Sequence, residues 1–436
     1  MELHASRGTE TSHHKLLMRL SVVAADILVF IPAAFMFSRY AGAGVGLNEG
    51  CLTLCCLSPS QRTVVTLLSY PGLIIIDHGH FQYNSISLGL ALAAVALLTR
   101  GRHLLGAALF VAALNYKQME LYHALPFFFY LLGVCRQQRT VTQKLVKLVT
   151  IGVTVIVTFA LIWAPWLVLG PASVVQVLKR IFPFDRGLFE DKVANFWCAA
   201  DVVLKLRQRL AIPALARLCV ATTLLLSLPS NIHLFLQPTQ RNFVLSLVNT
   251  SLIFFLFSFQ VHEKSILLAA VPLCLLTYTE DARAAVTRTV LPWLLTITTF
   301  SMLPLLAKDG LLLPGLALSV LHLTVTDNLE ALSSIGRERP RSVSGSAPAP
   351  APLPRVTLAD SVLTVSARAS LLGCCLLVLV SEAVSPPAQY PFLWPLLVCV
   401  YSAGHFLLAL GYFHYLQFSA AGEGGTGKKG AKKKTN

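Results

Sequence analysis

The chain has 436 residues, 55% hydrophobic and 13% charged, with a net charge of +15 and a mean hydropathy of +0.67. A soluble domain carries about 25% charged residues, so the composition excludes a soluble globular fold, and separate apolar runs of roughly 15–25 residues point to an all-α polytopic membrane protein. The short alternation of a β-barrel is absent, and the positive charge lies in short loops and the C-terminal tail, as expected of a surface facing anionic lipid and not of a nucleic-acid partner.

In chain order, the polar, His-rich N-terminus to Lys15 lacks the apolar core of a signal peptide. Thirteen transmembrane spans are expected, near 17–38, 60–77, 84–99, 103–115, 121–135, 145–168, 211–229, 242–259, 265–279, 285–305, 311–326, 361–384 and 390–416. An odd number puts the termini on opposite sides of the membrane. One set of loops then holds Arg39, Arg100, Arg102, Arg136, Arg139, Lys144, Arg241, Arg283 and Arg337–Arg341, together with the lysine-rich tail 417–436. Cytosolic loops collect Lys and Arg, so this side is the cytosolic one. Residues 327–360 form a Pro/Ala/Ser-rich cytosolic linker that cannot bury a core. It separates a body of eleven spans, 17–326, from a terminal pair, 361–416. Lys433 and Lys434 stand third and fourth from the end, a pattern similar to the dilysine retrieval signal of endoplasmic reticulum membrane proteins.

The opposite side receives the loops 78–83, 116–120, 169–210 and 260–264. Into or beside them fall the dense polar clusters Asp77–Asn84, Asn115–Glu120, Phe182–Lys192 and Gln260–Lys264. A charge at the bilayer centre costs at least ~2.5 kcal/mol. These clusters therefore belong in water or in a polar cavity, and their common side suggests one site. The 169–210 loop is itself basic despite facing away from the cytosol, which fits cations that hold an anion such as phosphate. His78 and His80 lack the H-x-x-x-H or C-x-x-C partners of a zinc site, so no metal is expected. The ten cysteines show no paired ligand spacing, and the Asn249-Thr250-Ser251 sequon lies inside an apolar run where no glycan fits. A transporter or other lipid-linked-sugar-binding protein would also gather polar groups in a helix bundle, but at mid-membrane on broken helices.

Four motifs carry a resemblance: His80-Phe-Gln-Tyr-Asn84, Asn115-Tyr-Lys-Gln-Met-Glu-Leu-Tyr122, Phe182–Trp197 and Val261-His-Glu-Lys-Ser265. In this order they resemble the ALG-type α-1,3-glucosyltransferases of the endoplasmic reticulum, closely over about residues 3–325. Leu188–Val193 and Tyr116–Glu120 are more similar to the branch that adds the first glucose than to the sister branch that adds the second. The resemblance implies a GT-C type fold and no cofactor. It implies dolichyl phosphate glucose as donor and, as acceptor, the nine-mannose oligosaccharide on dolichyl diphosphate. The protein would be a multi-pass endoplasmic reticulum protein of asparagine-linked glycosylation, working in membrane lipid, with its active face lumenal and its C-terminus cytosolic. Transfer would invert a β-linked donor to an α-1,3 glucoside.

Such chemistry needs one base for the acceptor hydroxyl and cations for the departing phosphate. Arg186, Lys192, Lys264 and Lys117 are the candidates for phosphate. His80, Gln82, Tyr83, Asn84, Gln118, Glu120, His262 and Glu263 are the candidates for sugar or acceptor. In the family, a first span precedes a long lumenal loop whose acidic motif carries the Asp taken as the base. Residues 1–16 are similar to the end of that loop and are read as its lumenal remnant. Upstream of 17–38 the only carboxylates are Glu2 and Glu10, out of that context. The expectation is a chain with the catalytic base unassigned, which transfers little or no glucose. It would be either a truncated gene model or alternative product of a true glucosyltransferase, or a genuine product that keeps substrate binding and has lost catalysis. Asp77, Glu120 and Asp185 are the remaining lumenal carboxylates that could substitute.

Overall fold

The computed structural model describes residues 11–41, 59–181, 193–278, 289–335 and 358–419. Among the described residues every regular element is helical. We number the longer ones α1 (Ser12–Tyr40), α2 (Pro59–Leu68), α3 (Asn84–Thr99), α4 (His103–Tyr116), α5 (Leu121–Arg136), α6 (Val141–Val168), α7 (Pro171–Ile181), α8 (Phe196–Leu204), α9 (Ile212–Leu236), α10 (Gln240–Phe257), α11 (Leu267–Leu275), α12 (Leu291–Phe300), α13 (Leu312–Ile335), α14 (Leu358–Ala383) and α15 (Leu393–Ser419).

Polar groups decide which helices lie inside. α10 carries Ser246, Asn249, Thr250 and Ser251 along an otherwise apolar run, and side chains that need hydrogen-bond partners are buried against protein and not turned to lipid. Its most apolar window is 83% buried, against 6% for α6. It packs against α5, α9, α11 and α15, with Phe243 wedged between the Phe127 and Tyr130 rings. α6 leans on α4 and α5 and turns most of its side chains outward, as a helix facing lipid does. Its start is fixed by a capping box, in which Thr140 Oγ1 accepts from Gln143 N and Gln143 Oε1 accepts from Thr140 N.

The last helix is locked onto the body by amides at its end. Gln417 is fully buried; its Oε1 accepts from Ser230 Oγ (2.7 Å) and Asn249 Nδ2 (2.8 Å), and its Nε2 donates to Ser230 O (2.9 Å). Asn249 of the sequon is thus part of this internal network. In an apolar interior, the cost of leaving such groups unpaired is what holds the network together.

Among the described residues six helices, α1, α6, α9, α10, α14 and α15, are long and apolar enough to cross a membrane. Of the other expected spans, all but α13 are shorter or broken. The 60–77 span divides at Tyr70, where Pro71 opens a new turn that passes into a π-helical turn, Ile75–Phe81. Proline supplies no N–H to continue the preceding helix. The 265–279 and 285–305 spans reduce to the nine-residue α11 and the ten-residue α12, each flanked by a tighter or wider turn. Several helices run longer than expected, α1 and α6 at their starts and α9 and α13 at their ends. α9 continues through Pro229 to Leu236, because Ser230 and Asn231 find partners inside the bundle. α13 continues to Ile335, nine residues past the expected edge of the linker, over a Leu-, Glu- and Ala-containing stretch of good helix formers.

Candidate functional site

The loops expected on one side converge on a cavity of about 420 Å³. Gln82 and Asn84 reach its wall from the start of α3, and Lys117 and Gln118 from the turn between α4 and α5. Gln260, His262 and Lys264 come from the turn before α11, and Ile181 from the end of α7. Phe254, Leu267 and Leu268 supply an apolar side. In the described part of 169–210, Trp197 Nε1 donates to Phe257 O (2.8 Å), the residue before the lining Ser258.

Local backbone explains why these side chains point together. The π-helical turn ends at Phe81, whose φ of +72° reverses the chain. Such a conformation is uncommon for a bulky residue and persists only where the surroundings impose it. The buried Asp77 closes the reversal: Oδ1 accepts from Asn84 Nδ2 (2.6 Å) and Oδ2 from Ser85 N (2.7 Å). Asn84 Oδ1 then receives the Lys117 ammonium, which also reaches Gln82 Oε1 at 3.5 Å. Burial lowers the pKa of Lys117 below the ordinary lysine range; Asp77 and Glu120 oppose the shift, and Lys264 adds to it. Two ammonium groups close enough to repel are therefore held at one cavity. That arrangement is stabilised when an anion arrives between them.

Lys264 Nζ lies 2.9 Å from His80 Nε2, and His80 Nδ1 lies 2.5 Å from Asp309 Oδ2. His262 Nδ1 lies 2.7 Å from Glu263 Oε2. Burial opposes ionisation of Glu263, but the His262 bond and charge, with Lys264 beyond, hold its carboxyl below the ordinary range.

The sequence candidates separate accordingly. Lys117, Lys264, Gln82, Asn84, Gln118 and His262 line the cavity; His80, Tyr83, Glu120 and Glu263 stand behind it. Tyr83 Oη bonds Ser21 Oγ of α1 (2.7 Å). Glu120 is fully buried, with Oε2 2.7 Å from His123 Nδ1, and His123 Nε2 donates to Leu268 O (2.8 Å). Glu120 is thus a bridge inside the protein, between α5 and the start of α11, and not a cavity wall. Arg186, Lys192 and Asp185 lie outside the described residues. Of the carboxylates considered as bases, Asp77 and Glu120 are both engaged in holding the scaffold.

Besides the lining residues Gln260, Ile181, Phe254, Leu267 and Leu268, three titratable residues behind the cavity wall were not among the sequence candidates. Asp26, in α1, bonds His78 Nε2 at 2.7 Å and raises that imidazole's pKa; a carboxylate within an apolar run was the available signal. Asp309 sits in the short turn between the expected 285–305 and 311–326 spans, against His80. His123 is one helical turn beyond Glu120.

Comparison with known proteins agrees along nearly the whole chain. A Drosophila melanogaster protein named probable dolichyl pyrophosphate Man9GlcNAc2 alpha-1,3-glucosyltransferase is 42% identical over 422 residues, covering 96% of this chain and 80% of the relative. A Gallus gallus dolichyl pyrophosphate Man9GlcNAc2 alpha-1,3-glucosyltransferase is 42% identical over 423 residues, with 95% and 78% covered. The Arabidopsis thaliana relative, again named a probable enzyme of this kind, is 35% identical over 429 residues, with 98% and 74% covered. The model of the ALG6, ALG8 glycosyltransferase family matches residues 1–412, and the chain belongs to that family.

Proposed function

We propose that the protein transfers the first glucose from dolichyl phosphate glucose to the nine-mannose oligosaccharide on dolichyl diphosphate, forming an α-1,3 linkage with inversion. The observation that carries this reading is the cavity in which Lys117 and Lys264 stand beside the amides of Gln82, Asn84 and Gln118. The names of the curated relatives support the same acceptor.

In this reading the acceptor hydroxyl attacks the anomeric carbon from the face opposite the phosphate. The new C–O bond forms as the glucose–phosphate bond breaks, the bonding electrons leave with the phosphate, and the hydroxyl proton passes to a base. Lys117 and Lys264 neutralise the departing phosphate, with Arg186 and Lys192 as further candidates. Ammonium donors aimed at developing negative charge act most strongly where water is excluded. Gln82, Asn84, Gln118 and His262 hold sugar hydroxyls, while His80, Tyr83, Glu120 and Glu263 keep the wall in shape. The site faces the lumen of the endoplasmic reticulum, the C-terminus is cytosolic, and thirteen spans with the GT-C arrangement enclose it.

Membranes containing the full chain, donor and nine-mannose acceptor test this directly. A product one hexose heavier than the acceptor carries this reading and overturns the expectation that the chain transfers little or no glucose. Transfer only to an acceptor that already carries one glucose would assign the sister reaction. Saturable donor binding without transfer would make the chain a lipid-linked-sugar-binding protein, and absence of both would reject the reading.

A further inference from the structure

We propose that Asp309 is a positioning residue that holds the Lys264 ammonium at the cavity through His80. The inference rests on the reading of Lys264 as a phosphate-binding cation.

Hydrogen-bond chemistry fixes the order of the relay. An ammonium has donors and no lone pair, so at 2.9 Å His80 Nε2 accepts from Lys264 Nζ. The imidazole then carries its proton on Nδ1, which donates to Asp309 Oδ2 at 2.5 Å. A carboxylate and an ammonium are thereby linked through one neutral ring whose tautomer both ends dictate. Lys264 lines the cavity, whereas His80 and Asp309 do not, so the pair acts on a ligand only through the lysine.

The backbone is built for this approach. Asp309 follows the short helix Leu303–Lys308 at φ −89° and ψ 0°, and Gly310 continues at φ +69°, a conformation that favours glycine. Leu311 N donates to Leu306 O (2.8 Å), closing the turn. On the facing segment, a Cβ at Gly79 would lie 2.9 Å from Leu311 Cδ1. The absence of a side chain between His78 and His80 therefore lets the Asp309 turn come within reach of His80.

The test measures binding of farnesyl phosphate, a prenyl monophosphate, to the full chain purified in detergent. Wild type, Lys264→Ala, Asp309→Asn and the double variant complete a mutant cycle. Outer partners that orient metal ligands are worth ~10–100-fold in affinity, and the lower figure is taken by analogy for a partner that orients an ammonium. Asp309→Asn is expected to raise Kd by about that factor in the wild-type background and to change nothing further once Lys264 is alanine. Asp309→Ser provides a second variant, and the unfolding midpoint of each is read alongside. A purely structural role would instead weaken binding by the same factor in both backgrounds. That result, or an unchanged Kd in Asp309→Asn, overturns the proposal while leaving the phosphate site standing. Wild-type binding that Lys264→Ala does not weaken removes Lys264 as a phosphate cation and the relay with it. Wild type that binds no farnesyl phosphate removes the phosphate site and the proposal together.

Discussion

Lys117 shows at the level of one residue how this site trades stability for ligand binding. Burial drives its pKa below the ordinary lysine range, with Lys264 pushing the same way and Asp77 and Glu120 only partly opposing. The folded chain therefore gives up this proton at lower pH than the unfolded chain. Between the two pKa values the unfolded state binds more protons, so this residue's contribution to stability rises with pH. Phosphate binding runs the other way, because only the ammonium attracts the anion. Farnesyl phosphate affinity is expected to fall on an alkaline limb that begins below the usual lysine range. Lys117→Arg keeps its charge and should move that limb to higher pH. A titration of Kd against pH in both proteins checks this, and an unchanged limb in the arginine variant would remove Lys117 from the phosphate site. The cavity residues Lys117, Gln118, His262 and Lys264 were legible in the sequence because polar side chains are conspicuous in an apolar chain. What was not legible was which ones face a ligand. Glu120 reads like a site residue, yet its bond to His123 makes it internal, and that partner comes into view only when the first turn of α5 is built.

At the scale of elements, glycines mark where helices touch. A Cβ at Gly133 of α5 would lie 2.8 Å from the carbonyl oxygen of Phe235 and 3.1 Å from Pro238 Cβ. A backbone oxygen cannot swing aside, so Gly133→Ala must move α5 away from the end of α9. Overpacking of this kind costs about 1–3 kcal/mol. Gly152 of α6 faces open space, with nothing within 4 Å. There alanine only removes the excess backbone freedom of glycine, which stabilises a helix interior by roughly 0.5–1 kcal/mol. Thermal unfolding in detergent should lower the midpoint for Gly133→Ala and leave it equal or raised for Gly152→Ala; equal shifts in the two would refute the packing argument. Hydropathy alone could not separate these positions, since both lie in apolar helices. The same limit explains the span edges. Hydropathy located the apolar runs, but Pro71 breaks one of them, while Pro229 is carried inside α9 by the partners of Ser230 and Asn231. Tertiary contacts decide which prolines end a helix.

For the whole molecule, the open quantity is how many segments cross the membrane, and parity makes it measurable. Among the described residues six helices are long and apolar enough to cross by themselves. The other expected spans include α3 and α4, which are 16 and 14 residues long, and α12, which is 10. A perpendicular crossing takes about 20 residues, so these segments would have to cross with the help of flanking turns and neighbouring helices. The polar site gives the reason to count them. If α11, α12 and α13 do not cross, the Lys264 and Asp309 turns, which meet at His80, need not lie on a membrane surface at all. Consider protease-cleavable tags after Gly170, at 345 within the linker, and after Asn436. Gly170 lies in the turn between α6 and α7, at φ +96°, where an added Cβ would meet nothing within 4 Å. With thirteen spans, five crossings separate Gly170 from 345, and two more separate 345 from the tail. In sealed microsomes the first tag should then be protected and the other two cleaved from the cytosolic side. With only the six long helices, two crossings separate Gly170 from 345, and all three tags share one side. Cleavage of the Gly170 tag without detergent would therefore reject the thirteen-span arrangement. Protection would require an odd number of crossings between the two points, which the long helices alone cannot provide, and would put the convergent turns of the cavity on the lumenal face.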